Sequence, residues 1–437
     1  MPPSPTSSVR PVEPVTCGSS NDICIVGGGP AGLAAALAIA AKGRDVTLLA
    51  ADLDERPRDI HSHRQAGARD TRTTAILGDS MTLLANLGVW PALAPCSASL
   101  AAIRIVDDRG GWLKAPEVLF PASELQLPAL GANVPNDALV DAMLARAERH
   151  PRITLVPTRG VTAVTASSET VTLATPEGKH FSARLVVAAD GRKSMARAAA
   201  GITTRTWSYD QVAVATSFGH GRPHQGVSTE LHARPGPLTT VPLPDDATGP
   251  CSSLVWIETP ARAQHLMTLP DANFATELER RLHDLLGRVS WIGRRATFPI
   301  RGMMAVGAAR NRIALVGEAA HVVPPIGAQG LNLGFRDAAA LADAICEHGA
   351  DDPGDPAVID SYVRSRAADL VSREVGIDLL NRSLLSNFPA VQAVRGLGLH
   401  ALANSAALRK AVMRMGMSAP GEAPSLMRPL ANMASRA

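Results

Sequence analysis

The sequence predicts an α/β fold in which an open, mostly parallel sheet is interleaved with a β-rich domain and followed by C-terminal helices. The first observation is an apolar strand near residue 25 that runs into a glycine-rich turn and a helix. The second is a pair of apolar strands, near residues 188 and 315, that each end beside an acid and a glycine. The third is that residues 202–300 are rich in short strands broken by prolines and glycines. Strands that alternate with helices are typical of a parallel sheet, and a run of strands indicates a separate layer.

The first element is the strand Asp22–Val26, whose apolar, β-branched residues suit a buried parallel strand. Gly27, Gly29 and Gly32 follow it with G-x-G-x-x-G spacing, and the alanine- and leucine-rich run Pro30–Ala41 predicts a helix. In this context Gly27 allows a tight turn, Gly29 lets the backbone approach a pyrophosphate, and Gly32 lets the helix pack on the strand. The helix N-terminus supplies N–H groups for phosphates, so the stretch predicts dinucleotide binding rather than an ordinary turn.

The second strand, Asp45–Leu49, does not end in the acid that usually grips the adenosine ribose. It runs into Ala50 and Ala51, and the first acids are Asp52 and Asp54. The sequence leaves two alternatives open: either Asp52 reaches back to the ribose, or other groups hold it.

The next elements are a polar, basic loop at 52–68, a helix at Ile76–Leu87 and a hairpin at 101–131 that includes a strand at Trp112–Phe120. The next element is a predicted helix with Asn136 as its N-cap. The helix is indicated by five apolar residues that share one face: Leu139, Val140, Met143, Leu144 and Ala147. Further strands are predicted at 153–156, 161–166, 170–175, Phe181–Ala189, Val212–Ser217, Val227–His232, Leu238–Leu243, Leu254–Glu258 and Arg312–Val316. Helices are predicted at Ala272–Leu286, Leu331–His348 and over most of the chain after Asp355.

The composition of the chain limits which partners, sites and locations we expect. The net charge of +3 is too small to indicate a nucleic-acid partner. The five scattered cysteines form no C-x-x-C pair, which argues against a metal site and a disulfide framework and favours a reducing, cytoplasmic location. Residues 1–20 are rich in proline and serine and predict a disordered tail without a signal peptide. No apolar run reaches the roughly 18 residues that span a bilayer, so membrane contact would be peripheral.

Two further motifs place acids at the ends of strands, where ligands bind in open α/β sheets. The first is Leu185–Arg197, which contains Asp190-Gly191 and which alone would read as an ordinary turn. The second is Leu315–Asp337, in which Gly317-Glu318 precedes a glycine-rich loop and a helix N-terminus. Such a loop can bring backbone N–H groups against a flat polar ring.

Together the three motifs resemble the single-component (class A) flavin monooxygenases, the family of p-hydroxybenzoate hydroxylase. Six shorter sequence segments resemble the ubiquinone-biosynthesis hydroxylase branch of this family: Arg72–Ala75, Gly131–Asn136, Gly236-Pro237, Val255-Trp256, Phe298-Pro299 and Leu380–Arg382. The resemblance covers about residues 22–430. It implies a Rossmann-like FAD-binding domain in three parts (21–100, 132–200 and 305–350), a β-rich substrate domain (101–131 and 201–304) and a C-terminal helical region (351–437).

The resemblance also implies which residues hold FAD. They are Gly27, Gly29, Pro30, Ala31, Gly32, Arg72, Asp190, Gly191, Ser194, Arg197, Gly317, Glu318, Pro325, Gly327, Gly330, Leu331 and Asn332. Asp190 would also serve the pyridine nucleotide. Glu318 stands where the family usually has aspartate, and it keeps the carboxylate that can accept hydrogen bonds from the ribityl chain. Ala50 replaces the usual ribose-binding acid.

The implied activity is hydroxylation of an aromatic ring. The implied substrate is a polyprenylated phenol in ubiquinone biosynthesis. NAD(P)H would visit transiently to reduce FAD, and O₂ would react through a flavin C4a-hydroperoxide. No catalytic acid or base is identified. His321 either touches substrate or flavin or, as we favour, orients the loop by hydrogen bonding. His232 and Arg234 are candidate pocket residues or surface groups, and an aromatic share of 3% predicts an aliphatic pocket.

Two alternatives remain at this stage: a flavin reductase or halogenase on the same scaffold, and a non-catalytic flavin-binding subunit of a quinone-biosynthesis assembly. The halogenase signature W-x-W-x-I-P is absent. The basic, apolar stretch Ala390–Met417 would suit either a helix on the inner face of the membrane or a helix packed on its own core.

Overall fold

The computed structural model describes residues 21–51, 72–108, 115–325, 327–385, 389–418 and 421–429. The helices are α1 (Pro30–Ala41), α2 (Gly78–Asn86), α3 (Trp90–Leu93), α4 (Asn136–Glu148), α5 (Met195–Ala199), α6 (Pro260–Thr268), α7 (Asp271–Arg281), α8 (Gln329–His348), α9 (Pro356–Leu385), α10 (Pro389–Asn404) and α11 (Ala406–Met417). The strands are β1 (Asn21–Val26), β2 (Val46–Ala50), β3 (Thr73–Leu77), β4 (Ala98–Leu100), β5 (Ala102–Asp107), β6 (Val118–Pro121), β7 (Gly131–Pro135), β8 (Ile153–Pro157), β9 (Ala163–Ala166), β10 (Val171–Ala174), β11 (His180–Ala188), β12 (Thr204–His220), β13 (Val227–His232), β14 (Pro237–Asp246), β15 (Gly249–Glu258), β16 (Val289–Ile292), β17 (Ala296–Ala305), β18 (Ala309–Arg310), β19 (Ile313–Leu315) and β20 (His321–Val322).

The first sheet has the order β18-β19-β11-β1-β2-β8, with β10 beside β11 and β9 beside β10. Its central strands β19, β11, β1, β2 and β8 are parallel. Helices α1, α4, α8 and α9 pack on one face through an aliphatic core that includes Leu33, Leu139 and Leu341. Because parallel strands end at the same edge, the loops after β1, β11 and β19 are neighbours, and these loops carry the three motifs.

The second sheet is longer, with the order β20-β17-β12-β15-β14-β13-β5-β6 and β16 paired to β12. One face is covered by α6 and α7 through a core that includes Trp256 and Phe274. The other face meets the small sheet β3-β7-β4, since the Thr73 and Ser253 hydroxyl oxygens lie 2.8 Å apart. Helices α10 and α11 pack on β5 and β6 through Leu399, Met413 and Met417.

Most predicted elements are confirmed, including the first strand and the helix Pro30–Ala41. Several boundaries are wrong, including the start of the strand predicted at Leu254–Glu258, which lies at Gly249. Ile76 and Leu77 belong to β3, because they pair with β7. Helix α7 ends at Arg281, since His283 and Asp284 adopt positive φ angles of 49° and 60°. Asn136 begins α4 rather than capping it, and its side chain accepts a hydrogen bond from Thr74.

The strand predicted at Val212–Ser217 is also longer than expected, and it runs from Thr204 to His220. Helix α6 was not predicted. The predicted tail at 1–20, the loop at 52–68 and part of the strand at Trp112–Phe120 lie outside the described residues. Among the residues that are described, no helix is both long and apolar enough to cross a bilayer.

Candidate cofactor and substrate site

The glycine loop after β1 is held tightly by the protein itself at three of its four glycines. Gly27 has a φ of +114°, and a Cβ added there would lie 2.2 Å from the Ala189 carbonyl oxygen. A Cβ at Gly28 would lie 2.5 Å from the Ala50 Cβ, and one at Gly32 would lie 1.9 Å from the Gly27 carbonyl oxygen. Glycine is therefore required at these positions by the close contact of α1 with the ends of β1, β2 and β11.

Gly29 differs from the other three. A Cβ added there would meet no atom of the described residues within 4 Å, and its φ of −74° suits any residue. Gly29 is the N-cap of α1 and, having no side chain, makes no capping hydrogen bond to the N–H groups of the first turn. Packing within the protein does not explain a glycine here, whereas close approach of an anion to the helix N-terminus does. The loop therefore fits a pyrophosphate.

The second motif follows β11. Asp190 accepts hydrogen bonds at Oδ2 from the backbone N–H groups of Met195 (2.9 Å) and Ala196 (3.4 Å), at the start of α5. Its other oxygen, Oδ1, is buried without a hydrogen-bond partner among the described residues. Gly191 has a φ of +79°, and Ser194 caps α5 by accepting from the Arg197 N–H (2.9 Å). Half of the Asp190 carboxylate is thus used to shape the loop, and the other half is left for a further donor.

The third motif contacts both of the others. Gly317 has a φ of +59°, and a Cβ there would lie 2.6 Å from the Ala31 Cβ in α1. Arg197 of the second motif donates to the Ala319 carbonyl oxygen (2.8 Å). The Glu318 side chain is 57% exposed and lies 3.5 Å from the Arg192 Nε. The three motifs that are far apart in the sequence therefore form one continuous edge.

The loop before α8 is anchored by Asn332. Its amide group accepts from the Leu77 N–H (3.1 Å) and donates to the carbonyl oxygens of Ala75 (2.8 Å) and Ala328 (2.6 Å). Asn332 thereby ties the start of α8 to β3, and its side chain serves the protein. Of the other predicted residues, Pro325 is exposed, Gly327 has a φ of +62°, Gly330 has room for a side chain and Leu331 is half-buried, while residue 326 lies outside the described chain.

Arg72 directly precedes β3, where the small sheet meets the second sheet. Its guanidinium carbon is 4.9 Å from the centroid of the Phe298 ring. Phe298 is opposite Ala213 in the register of β17 and β12, on the face that also carries Ile257. Ala213, Ile257 and Ile300 form an apolar cluster with Tyr209 and Val255. We call this face the inner face of the second sheet, and strand β17 of this sheet pairs with β20, which belongs to the third motif.

A fully buried charge network lies beneath the third motif. Asp337 accepts at Oδ2 from the Gly317 N–H (3.0 Å) and from the His321 Nε2 (2.6 Å), and at Oδ1 from the Arg366 Nε (2.8 Å). Arg366 also donates to Asp369 (2.8 Å), which lies 3.5 Å from Arg336. Burial would raise the pKa of Asp337, but the charges of His321 and Arg366 and the hydrogen bonds lower it to about 2. The network fixes the loop at Gly317, in agreement with the interpretation of His321 as a group that orients it.

His232 is not a surface group. It is 2% exposed and lies 3.2 Å from the carboxylate of Glu230, which sequence reasoning missed, whereas Arg234 is exposed. The signal was present, because residues 230 and 232 of a strand project to one face. Arg366 and Asp369 were missed as well, although an acid three residues after an arginine on a helix predicts contact between them.

A protein-family model described as an FAD binding domain matches residues 20–373. The ubiquinone hydroxylase UbiL of Rhodospirillum rubrum is 36% identical over 97% of this chain and 96% of its own length. The 3-demethoxyubiquinol 3-hydroxylase of Escherichia coli is 32% identical over 91% of this chain and 98% of its own. Among solved structures, p-nitrophenol 4-monooxygenase from Pseudomonas putida has a TM-score of 0.71 at 19% identity, over 92% of this chain and 99% of that chain. Klebsiella pneumoniae HpxO complexed with FAD and uric acid has a TM-score of 0.69 at 16% identity, over 91% and 97%.

Proposed function

This chain belongs to the FAD binding domain family, and we propose that it hydroxylates the aromatic ring of a polyprenylated phenol in ubiquinone biosynthesis, with NAD(P)H and O₂ as co-substrates. The two bacterial relatives named above act on ubiquinone or its precursors by name, and they match over nearly the whole chain. The observation that carries the proposal is that the three sequence motifs converge on one edge, and that the third motif pairs through β20 with β17 of the sheet that bears the apolar inner face.

We propose that the motif edge holds FAD as the sequence suggests. The first turn of α1 and the backbone at Gly29 hold the pyrophosphate, and Asp190 Oδ1 accepts a hydrogen bond from the cofactor or from NAD(P)H. The Glu318 carboxylate, exposed at the same edge, accepts hydrogen bonds from ribityl hydroxyl groups. FAD supplies the redox chemistry that accepts a hydride and then activates O₂. The chain's own part is to bind the two reactants, orient them and keep water away.

The positive end of α8 is the other contribution of the chain. Ala328, at the N-cap of α8, has a left-handed conformation, and Asn332 fixes this turn against β3. Backbone N–H groups at the N-terminus of a 20-residue helix stabilise negative charge within reach of the first turn. We propose that this helix N-terminus would stabilise negative charge on the reduced cofactor.

We propose that the substrate lies on the inner face of the second sheet and arrives from a membrane surface. Support for the route comes from α10 and α11, where Val394, Leu397 and Met415 are 70%, 69% and 73% exposed. Lys410 and Arg414 lie on the same segment. Exposed apolar side chains beside basic ones are typical of helices that lie on an anionic membrane.

The substrate class is tested by comparing phenols with and without a prenyl chain. With FAD-loaded protein, we expect a prenylated phenol to accelerate NAD(P)H oxidation and to be hydroxylated, because the inner face is aliphatic. Short, water-soluble phenols should be poor substrates. If p-hydroxybenzoate is turned over as fast as its prenylated relatives, the assignment to lipid-quinone synthesis is wrong. The assignment as an FAD-dependent hydroxylase is not affected by that result.

A further inference from the structure

An acid and an imidazole lie together on strand β13. Glu230 and His232 are two residues apart, so their side chains project to the same face of the sheet. The Glu230 Oε2 and the His232 Nε2 are 3.2 Å apart, and the side chains are 11% and 3% exposed. Of the pair, the carboxylate is the group that can be reached from outside.

The imidazole is arranged to hold the carboxylate. Because Nε2 faces an oxygen that can only accept, Nε2 carries the proton and donates it to Glu230. The other nitrogen, Nδ1, is buried and has no hydrogen-bond partner among the described residues. The imidazole is therefore oriented by Glu230 rather than by a second protein group, and the pair acts as one unit.

The strand register places this pair on the inner face of the second sheet. Glu230 is opposite Thr239 of β14, and Thr239 is opposite Val255 of β15. Val255 shares its face with Ser253, the residue whose hydroxyl group lies 2.8 Å from that of Thr73. Strands in a sheet lie about 4.8 Å apart, so Glu230 is about 10 Å from Val255 along the sheet. The pair thus forms one end of the inner face, and Arg72 on Phe298 forms the other.

The surroundings of Glu230 differ from those of the next acid along the sheet. Asp107 of β5, opposite His232, accepts hydrogen bonds from both terminal nitrogens of Arg395 at 3.1 Å. Its charge is balanced by a guanidinium group. Glu230, in contrast, meets the imidazole of His232 on its own strand. A carboxylate at an apolar wall is costly unless donors surround it, so the arrangement calls for a further donor.

We propose that Glu230 accepts a hydrogen bond from a ring hydroxyl group of the aromatic substrate, and that His232 is the positioning residue that holds its carboxylate. The inference rests on the proposed function and names the polar contact that function needs. A hydrogen bond from a phenolic hydroxyl to a carboxylate is stronger than one between neutral groups. It pushes electron density into the ring, which favours attack on an electrophilic oxygen, and it fixes which ring edge faces the cofactor.

The test pairs a protein change with a substrate change. Binding of a short-chain prenylated phenol and of its O-methyl ether is measured by the perturbation of the flavin spectrum, in the wild-type holoenzyme and in Glu230→Gln. The wild type should prefer the phenol by roughly ten- to hundredfold, since a hydrogen bond to a charged group is lost with the ether. In Glu230→Gln the preference should fall to a few-fold or less, with the affinity for the ether little changed.

The matched control is Glu258→Gln, which removes a carboxylate from the opposite face of the same sheet, where it accepts from the Trp256 indole N–H (3.1 Å). It should keep the wild-type preference. His232→Asn should lower the preference for the phenol over the ether in part, because the Glu230 carboxylate is then no longer held in place. Should Glu230→Gln fail to fold, Glu230→Asp gives the same test. Its shorter side chain keeps the carboxylate but moves it away from the hydroxyl group of the substrate.

Two outcomes would overturn the inference. If Glu230→Gln weakens the phenol and the ether by the same factor, the pair is structural and does not touch the hydroxyl group. If the wild type hydroxylates the phenol but shows no preference over the ether, the contact does not exist, and the proposed function is untouched. A wild-type holoenzyme that NAD(P)H reduces but that hydroxylates no phenol would instead refute the proposed function, and this inference with it.

Discussion

Alanine in place of Gly29 is expected to weaken FAD binding by roughly ten- to hundredfold while leaving the apoprotein as stable as the wild type, because overpacking against a ligand costs about 1–3 kcal/mol. The described part of the protein has room for the added methyl group, since a Cβ at Gly29 meets none of its atoms within 4 Å. Among the described residues the methyl group meets no close neighbour, so the contact we expect is with the pyrophosphate. FAD titration followed by flavin fluorescence measures the affinity, and thermal unfolding of both apoproteins measures the stability.

The variant to compare with Gly29→Ala is Gly32→Val. A Cβ at Gly32 would lie 1.9 Å from the Gly27 carbonyl oxygen, so the clash is with the protein's own backbone. We expect this variant to lose more than about 3 kcal/mol of folding free energy and to lose FAD as a consequence. If Gly29→Ala binds FAD as tightly as the wild type, the loop does not hold the pyrophosphate.

The second large effect is expected for Asp337→Asn. Two carboxylates and two guanidinium groups are buried together beneath the third motif, and all four are 2% exposed or less. Loss of one carboxylate leaves a buried positive charge uncompensated, which costs about 3–5 kcal/mol. Chemical unfolding of the apoprotein measures the loss. FAD affinity should fall as well, because Asp337 also accepts from the Gly317 N–H (3.0 Å).

Asp343→Asn is the matched control on the same helix. Asp343 is paired with Lys42 at 3.0 Å and also accepts hydrogen bonds from the Ser425 N–H (2.7 Å) and hydroxyl group. Because the pair is partly exposed and asparagine can still accept a hydrogen bond, its loss should cost about 1–2 kcal/mol. The pH dependence gives a second check. The pKa of Asp337 is lowered to about 2, so its contribution to stability is complete above about pH 4 and is lost as the pH falls toward 2. A stability loss for Asp337→Asn no larger than that for Asp343→Asn would contradict the account of the network.

Much of the fold could be predicted because its signals are local. The strand, turn and helix at Asp22–Ala41 follow one another directly, and each choice of residue agrees with the next. The convergence of the three motifs could also be predicted, since parallel strands end at one edge. The boundary errors occurred where pairing overrides local preference, as for Ile76 and Leu77, which β7 draws into a strand.

The site beyond the motifs could be predicted only in part, because its contacts join distant parts of the chain. Arg366 and Asp337 are 29 residues apart, and Arg395 and Asp107 are 288 apart. The special status of Glu230 depends on the register of β13 against β14 and β5, which no sequence periodicity specifies. The difference between Gly29 and its neighbours likewise depends on which backbone atoms surround each glycine.

The most direct test of the central claim is the fate of molecular oxygen. FAD-loaded protein is supplied with NAD(P)H, a short-chain prenylated phenol and ¹⁸O₂, and the phenolic product is analysed by mass spectrometry. The account predicts a hydroxylated ring that carries one ¹⁸O atom from O₂, with NAD(P)H consumed in proportion to product. Consumption of NAD(P)H with formation of hydrogen peroxide alone, and no ¹⁸O in any phenol tested, would contradict it.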